Sequence, residues 1–221
     1  MNDRLLIFGA GDYAELVHHY FARDPRYREI AFAVDGERLA ADRFCGAPLL
    51  AFEEARHRCP PEAWDMFVAI GYTGVNEGRR SKVDAAKALG YTLTSYVHAS
   101  ALLADDAMVQ ENSFVAEQVL IKPFCRLGRD LQLAAQCYIS HGARVGDHCY
   151  LAPRALLCGL TDVGECCFIG ANATVRDKVR IGARCVIGAG AVILSDCEPD
   201  GVYRATPTAR HRVPSGAMRR L

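Results

Sequence analysis

The sequence predicts a small parallel α/β domain followed by a β-helix, and three observations carry that prediction. From Val97 to Ile193 every sixth residue is Val, Leu or Ile, seventeen positions without exception. Four residues after each comes a second column that is small or β-branched except at Leu131. Ahead of this ladder, apolar strands alternate with helix-spaced stretches in the order of a parallel sheet. A period of six fits neither an α-helix nor an ordinary strand pair. It fits a coil in which each hexad is one short flat face and three faces close a turn, so that residues eighteen apart stack at roughly the 4.8 Å inter-strand spacing.

The α/β elements follow in order. Residues 4–11 (RLLIFGAG) read as an apolar strand ending in glycines. Residues 12–24 continue at helical spacing, with Leu16, Val17, Tyr20 and Phe21 as the apolar face and Asp12 as N-cap. Residues 28–35 form a second strand ending in Asp35. Gly9, Gly11 and Ala14 make a GxGxxA pattern, whose glycine turn lets a phosphate approach the amides at the helix start. Residues 48–63 read as a short helix closed by Pro60-Pro61. Residues 64–71 are a third strand, 76–89 a polar helix stopped by Gly90, and 92–97 a fourth strand that runs straight into the repeat. The expected division is residues 1–96 and 97–221.

With 221 residues and no net charge, the chain can bury a proper core and lacks the basic field expected of a nucleic-acid or membrane partner. The first apolar run is short and leads into a glycine turn, so it reads as a strand rather than a signal peptide, and no run approaches a membrane span. A cytoplasmic protein is expected. Six of the ten cysteines (Cys125, Cys137, Cys149, Cys167, Cys185, Cys197) fall in the small-residue column, where cysteine acts as a small hydrophobe. No CxxC pair occurs, so packing is preferred to metal binding, and free thiols fit a reducing compartment. Cys166 and Cys167 should point to opposite sides of a strand. His18, His19 and His57 have surface settings on helices.

The ladder also separates the corners of the coil. Gly128, Gly146, Gly164 and Gly182 form one corner column, and Gly170 and Gly188 a second, where glycine is expected to relieve a tight backbone. The third corner column has no glycine. One step beyond it stand Pro123, His141, Gly159, Asp177 and Ser195. His141 and Gly159 should therefore be vertical neighbours, an imidazole beside an unshielded backbone N–H, which is what acyl transfer needs. On spacing alone, a surface histidine on a turn is the plainer reading.

The segments IFGAGDYAELV, VAIGY, YISHGARVGDH, GECCFIGANATVRD and RIGARCVIGAGAVI, the last followed by VYRATPTAR, resemble the sugar acyltransferases of the sialic acid O-acetyltransferase type. Those include bacterial nucleotide-amino-sugar N-acetyltransferases. The resemblance implies a Rossmann-like domain followed by a left-handed parallel β-helix of hexapeptide repeats, a homotrimer, and acetyl-CoA lying between neighbouring β-helices without a metal. It implies His141 as general base and the Gly159 N–H as donor to the thioester carbonyl. Ala189 and Gly190 would lie along the pantetheine arm, and Gly9, Gly11 and Asp35 at the nucleotide of an amino-sugar acceptor. Three positions depart from the pattern. Gly142 stands where relatives carry Glu or a second His, Gly11-Asp12-Tyr13 replaces Gly-Gly-His, and Thr206 replaces Asn. Rival readings are an O-acetyltransferase, a γ-type carbonic anhydrase needing three zinc-binding histidines, and a non-catalytic nucleotide-binding scaffold. A nicotinamide dehydrogenase is disfavoured, because the first domain is short and the second supplies no hydride-transfer site.

Overall fold

The structure is a computed structural model and describes residues 2–207; residues 208–210 of the tail motif and the rest of the C-terminus lie outside it. The N-terminal sheet contains β1 (Arg4–Phe8), β2 (Glu29–Val34), β3 (Arg43–Phe44), β4 (Ala47–Ala51), β5 (Asp65–Val68) and β6 (Thr92–Leu93). Their spatial order is β3-β4-β2-β1-β5-β6, parallel except for the β3–β4 hairpin. Leu5–Phe8 of β1 and Met66–Val68 of β5 are continuous apolar runs buried on both faces, as central parallel strands are. Helices α1 (Asp12–Phe21), α2 (Phe52–Arg58) and α3 (Glu77–Ala88) cover the sheet.

Several expectations are corrected here. The N-cap of α1 is Gly11, with no side-chain cap, and Asp12 is the first helical residue. Ala14, Val17 and Phe21 form the buried face of α1, whereas Leu16 is 47 % exposed. The stretch 48–63 is not one helix. Its start is β4, where Leu49 pairs with Phe32 of β2, and α2 begins at Phe52. Residues 92–97 are two strands, because Thr94 N donates to Met66 O and the chain then leaves the first sheet for the coil.

The second half is a left-handed β-helix of two-residue strands. Its first face runs from Tyr96–Val97 through Phe114–Val115, Gln132–Leu133, Tyr150–Leu151, Phe168–Ile169 and Val186–Ile187 to Val202–Tyr203. The second face runs from Leu102–Leu103 through Leu120–Ile121, Tyr138–Ile139, Leu156–Leu157 and Thr174–Val175 to Val192–Ile193. The third is shorter: Arg126–Leu127, Arg144–Val145, Asp162–Val163 and Arg180–Ile181. The pairings join residues eighteen apart until the last coil, where Val186 meets Val202 and Ile181 meets Cys197, each sixteen apart.

Both sequence columns point inward. From Val115 to Ile193 each ladder residue is buried, together with all six cysteines of the small-residue column. At the open N-terminal end the ladder frays: Val97 is 42 % exposed, Leu103 and Val109 are half-buried, and no strand forms at residues 108–109. Cys166 and Cys167 lie at a corner rather than in a strand, and both are buried.

The corner glycines serve a different purpose from the one expected. The left-handed backbone position recurs every sixth residue from Asn112 to Gly190 and is occupied mostly by non-glycine residues such as Gln118, Asp130, His148, Leu160 and Lys178. The stacked glycines are not among those positive-φ residues. They are required by the coil above: a Cβ on Gly146 would lie 2.7 Å from Glu165 N, and one on Gly170 would lie 2.5 Å from Ala189 N.

Candidate active site

The corner between the second and third faces carries the sequence-predicted pair. Tyr138–Ile139 pairs in register with Leu156–Leu157, so the second residue past each strand, His141 and Gly159, falls one above the other. Leu160 N donates to His141 O at 3.0 Å, fixing the two turns together. The imidazole lies against Gly159 so closely that a Cβ there would be 2.6 Å from Cε1, 3.0 Å from Nε2 and 3.3 Å from Nδ1. His141 is exposed, and among the described residues the Gly159 N–H has no backbone acceptor. The exposed His141 ring thus packs over a buried glycine whose amide has no backbone acceptor among the described residues.

Sequence reasoning left the imidazole without an orienting partner, because residue 142 is glycine. The structure supplies one from the same turn: Ser140 Oγ lies 3.3 Å from His141 Nδ1. It also shows why glycine stands at 142. The position has φ +67°, and a Cβ there would meet Leu160 Cδ2 at 2.6 Å, so Leu160 occupies the space a side chain would need. Cys158 beside Gly159 is half-buried, and burial raises its thiol pKa, followed by the nearby Asp177 carboxylate.

Ala189 and Gly190 sit on a different corner, between the first and second faces near the last coils. Gly190 lines an open groove of about 650 Å³ with Val192, Tyr203, Arg204 and Thr206. Gly9 and Gly11 lie in the loop from β1 into α1. Gly9 adopts φ +129°, and a Cβ there would meet Ala69 O at 2.6 Å, so glycine is obligatory. Gly11 has open space around it, and α1 lacks a side-chain cap, leaving its first amides free for an anion. Asp35 follows β2 and pairs with Lys82 Nζ, whose ammonium lies 5.2 Å from the Phe8 ring centroid and 5.8 Å from that of Phe52. Lys82 was not singled out in the sequence, where it reads as one more charge on a polar helix.

The N-terminal domain docks on the first face and its corner with the third through a buried polar network that the sequence also concealed. Arg79 Nε donates to both oxygens of Asp130 at 2.9 Å, and its other nitrogens reach Asn76 Oδ1 at 3.0 Å and His148 O at 2.8 Å. Asp130 also accepts from Asn112 Nδ2 at 2.7 Å and lies 2.8 Å from His148 Nδ1. Arg79, Asp130, Asn76 and Asn112 are fully buried. Asn112 Oδ1 in turn accepts from Val68 N at the end of β5, and Asn76 Nδ2 donates to Cys167 O. Such a network fixes one docking geometry, since losing Arg79 or Asp130 strands a buried charge. His148 is thereby committed to Asp130, on a corner different from that of His141. Among the described residues no group of three His, Cys, Asp or Glu side chains is placed to hold a metal, and no described helix is long and apolar enough to cross a membrane.

The bacterial transferase hexapeptide (six repeats) family matches residues 161–195. No curated protein matches the chain. Among solved structures, the acetyltransferase domain of PglB from Neisseria gonorrhoeae FA1090, in complex with acetyl coenzyme A, superposes with a TM-score of 0.84 at 26% identity, covering 94% of this chain and 98% of that one. A histidine-to-asparagine mutant of perosamine N-acetyltransferase from Caulobacter crescentus, in complex with CoA and GDP-perosamine, gives 0.82 at 25% identity, covering 92% and 94%. WeeI from Acinetobacter baumannii AYE shares the fold at a TM-score of 0.72 and 20% identity, covering 90% and 94%. These likenesses do not single out the sialic acid O-acetyltransferase type.

Proposed function

We propose that this hexapeptide-repeat acyltransferase moves an acetyl group from acetyl-CoA to the amino group of a nucleotide-linked 4-amino sugar. The observation that carries the reading is the exposed His141 imidazole resting on Gly159, whose N–H has no backbone acceptor among the described residues. Solved relatives holding acetyl coenzyme A, or CoA with GDP-perosamine, support the co-substrate and the acceptor class.

In this reading Nδ1–H of His141 donates to Ser140 Oγ, which leaves the Nε2 lone pair free. Nε2 takes the proton from the acceptor nitrogen as that nitrogen attacks the thioester carbonyl. The Gly159 N–H receives the developing oxyanion, and coenzyme A departs as thiolate. Ala189 and Gly190 border the pantetheine arm. The nucleotide lies at the C-terminal ends of β1 and β2, its phosphates at the Gly9–Gly11 turn and its remainder toward Asp35.

A homotrimer accounts for two further features. The second face presents Leu102, Leu120, Tyr138, Leu156 and Val192 outward, with Leu102 66 % and Val192 63 % exposed. The third face instead presents Arg126, Arg144 and Arg180. The first face is also apolar on its outside but meets the N-terminal domain, whereas the second face has no such cover, and its exposed apolar stripe suits burial against copies of the chain. His141 also lies on the corner away from its own N-terminal domain, so an acceptor held by a neighbouring copy meets it.

The experiment is an acceptor panel of UDP-, dTDP- and GDP-linked 4-amino sugars and their 4-hydroxy counterparts with acetyl-CoA, products identified by mass spectrometry. The expected product is an N-acetyl sugar nucleotide. O-acetylation alone would favour the O-transferase, and no binding of acetyl-CoA would favour a non-catalytic scaffold.

A further inference from the structure

The corner between the first and second faces carries a polar ladder that no step above uses. Arg154 Nε donates to Gln136 Oε1 at 2.8 Å, and Gln136 Nε2 donates to Gln118 Oε1 at 2.8 Å. The three residues stand one per coil, and all are exposed. The Nε contact lays the Arg154 side chain along the coil axis onto Gln136 and leaves its two terminal nitrogens free. Arg79, Arg129 and Arg184 are paired with Asp130, Asp147 and Asp200, whereas Arg154 has no carboxylate partner among the described residues.

Both ends of an acceptor converge on this corner. On one side, Tyr13 and Leu16 share a cavity of about 210 Å³ with Ala135 and Pro153, the residues just before Gln136 and Arg154. The Gly9–Gly11 turn that leads into α1 is therefore close to the ladder. On the other side, three copies that turn their second faces to a common axis set this corner of each beside the His141 corner of the next, at equal height. Gln136 belongs to the coil of His141, and Arg154 to that of Gly159. The guanidinium, lying over Gln136, thus stands at the height of the reacting atoms. Gly190 stands two coils above Arg154 on the same corner, so one acetyl-CoA that meets both Gly190 and Gly159 needs the same juxtaposition of copies.

We propose that Arg154 binds the diphosphate of the sugar nucleotide held by its own copy, and so carries the amino sugar across the boundary to His141 of the next copy. The inference rests on the transferase and trimer readings above and names the residue that joins the two halves of the site. The connectivity of the acceptor carries it. In a nucleotide sugar the diphosphate stands between the nucleoside and the pyranose. With the nucleoside toward Asp35 and the amine at a neighbouring His141, the diphosphate passes the ladder. A guanidinium with two free nitrogens matches phosphate oxygens bidentately, and no ion pair has to be broken first. The amides at the start of α1 share the same charge. Gln136 and Gln118 orient the guanidinium without neutralising it. Arg154 grips the diphosphate and leaves the nucleophilic nitrogen to His141; it is a positioning residue, and no bond forms or breaks at it.

The test measures GDP, UDP, dTDP and acetyl-CoA by calorimetry in the wild type, Arg154→Ala and Arg154→Lys. Arg154→Ala should weaken the best-bound diphosphate at least about tenfold, equivalent to about 1.4 kcal/mol, with Tm and acetyl-CoA affinity unchanged. KM for the acceptor should rise by a similar factor at unchanged kcat, the mark of lost binding rather than lost chemistry. Arg154→Lys, which keeps the charge without the fork, should recover part of the loss. Chains carrying His141→Ala and chains carrying Arg154→Ala, co-expressed and assayed below KM, should together regain about one quarter of wild-type activity, because random assembly into rings pairs the two intact residues at that share of sites. Diphosphate affinity unchanged in Arg154→Ala, no diphosphate binding by the wild type, or a loss of acetyl-CoA affinity instead overturns the proposal. So does mixed activity no greater than the mean of the two variants, which would put Arg154 and His141 in one copy's site. Diphosphate binding that depends on Arg154 without acetyl transfer by the wild type would leave the phosphate contact standing and remove the transferase reading alone.

Discussion

Adding one methyl group at Gly159 tests the stacked corner most sharply. The Gly159 backbone is not in the left-handed region, so alanine is conformationally admissible. The obstacle is the imidazole, whose Cε1 would lie 2.6 Å from the new Cβ and whose Nε2 would lie 3.0 Å away. Ordinary contact begins near 3.4 Å, so the ring must retreat by about 1 Å, and a displacement of that size from a reacting geometry costs roughly 10²-fold in rate. The exposed His141 ring can swing into solvent, so stability should change by less than about 1 kcal/mol. Gly159→Ala is therefore expected to lower kcat about a hundredfold, with Tm nearly unchanged and acetyl-CoA binding retained by calorimetry. Undiminished kcat would refute the assignment of this corner to catalysis. A large loss of Tm would show instead that the glycine is there for packing.

Three further outcomes follow from the packing. Arg79→Leu strands the buried Asp130 carboxylate, and should cost about 3–5 kcal/mol, or roughly 6–20 °C in Tm; a loss under about 1 kcal/mol would show that the docking network is not a stability determinant. Gly170→Ala should cost roughly 1–3 kcal/mol in chemical denaturation, because its Cβ would lie 2.5 Å from Ala189 N, while Gly11→Ala, with open space around it, should cost under about 0.5 kcal/mol. Maleimide at pH 8 should label exposed Cys45 first and half-buried Cys158 slowly, leaving the other eight of the ten thiols until the protein unfolds. Burial pushes Cys137 up to about 12 and Cys59 and Cys166 to about 11, so the reactive thiolate is scarce even where reagent reaches them; rapid labelling of Cys137 in the native protein would contradict the packed ladder.

The periodic features were the legible ones. A strict hexad repeat announces the coil because every inward position feels the same constraint, and the same eighteen-residue step located His141 beside Gly159. Features set by contacts between distant segments stayed hidden. Arg79 and Asp130 are fifty-one positions apart, and each alone looks like a solvated charge. The Ala47–Ala51 strand is hidden in the sequence because the three apolar residues between Pro48 and Phe52 carry no period of their own. Helical spacing puts Leu16 on the apolar face of α1, yet it lines a pocket beneath that helix, where an apolar position need not be filled by the protein itself. The stacked glycines stand at corners as their spacing predicts, but not to relieve a left-handed backbone. Their role is set by the coil above, which sequence within one turn does not reveal.

The central claim is that His141 acts as general base in acetyl transfer, and His141→Ala tests it most directly. With acetyl-CoA and the best acceptor of the nucleotide 4-amino-sugar panel, kcat should fall by at least about 10²-fold. Affinity for acetyl-CoA and the thermal stability of the exposed corner should be retained. Turnover by His141→Ala equal to that of the wild type would contradict the account.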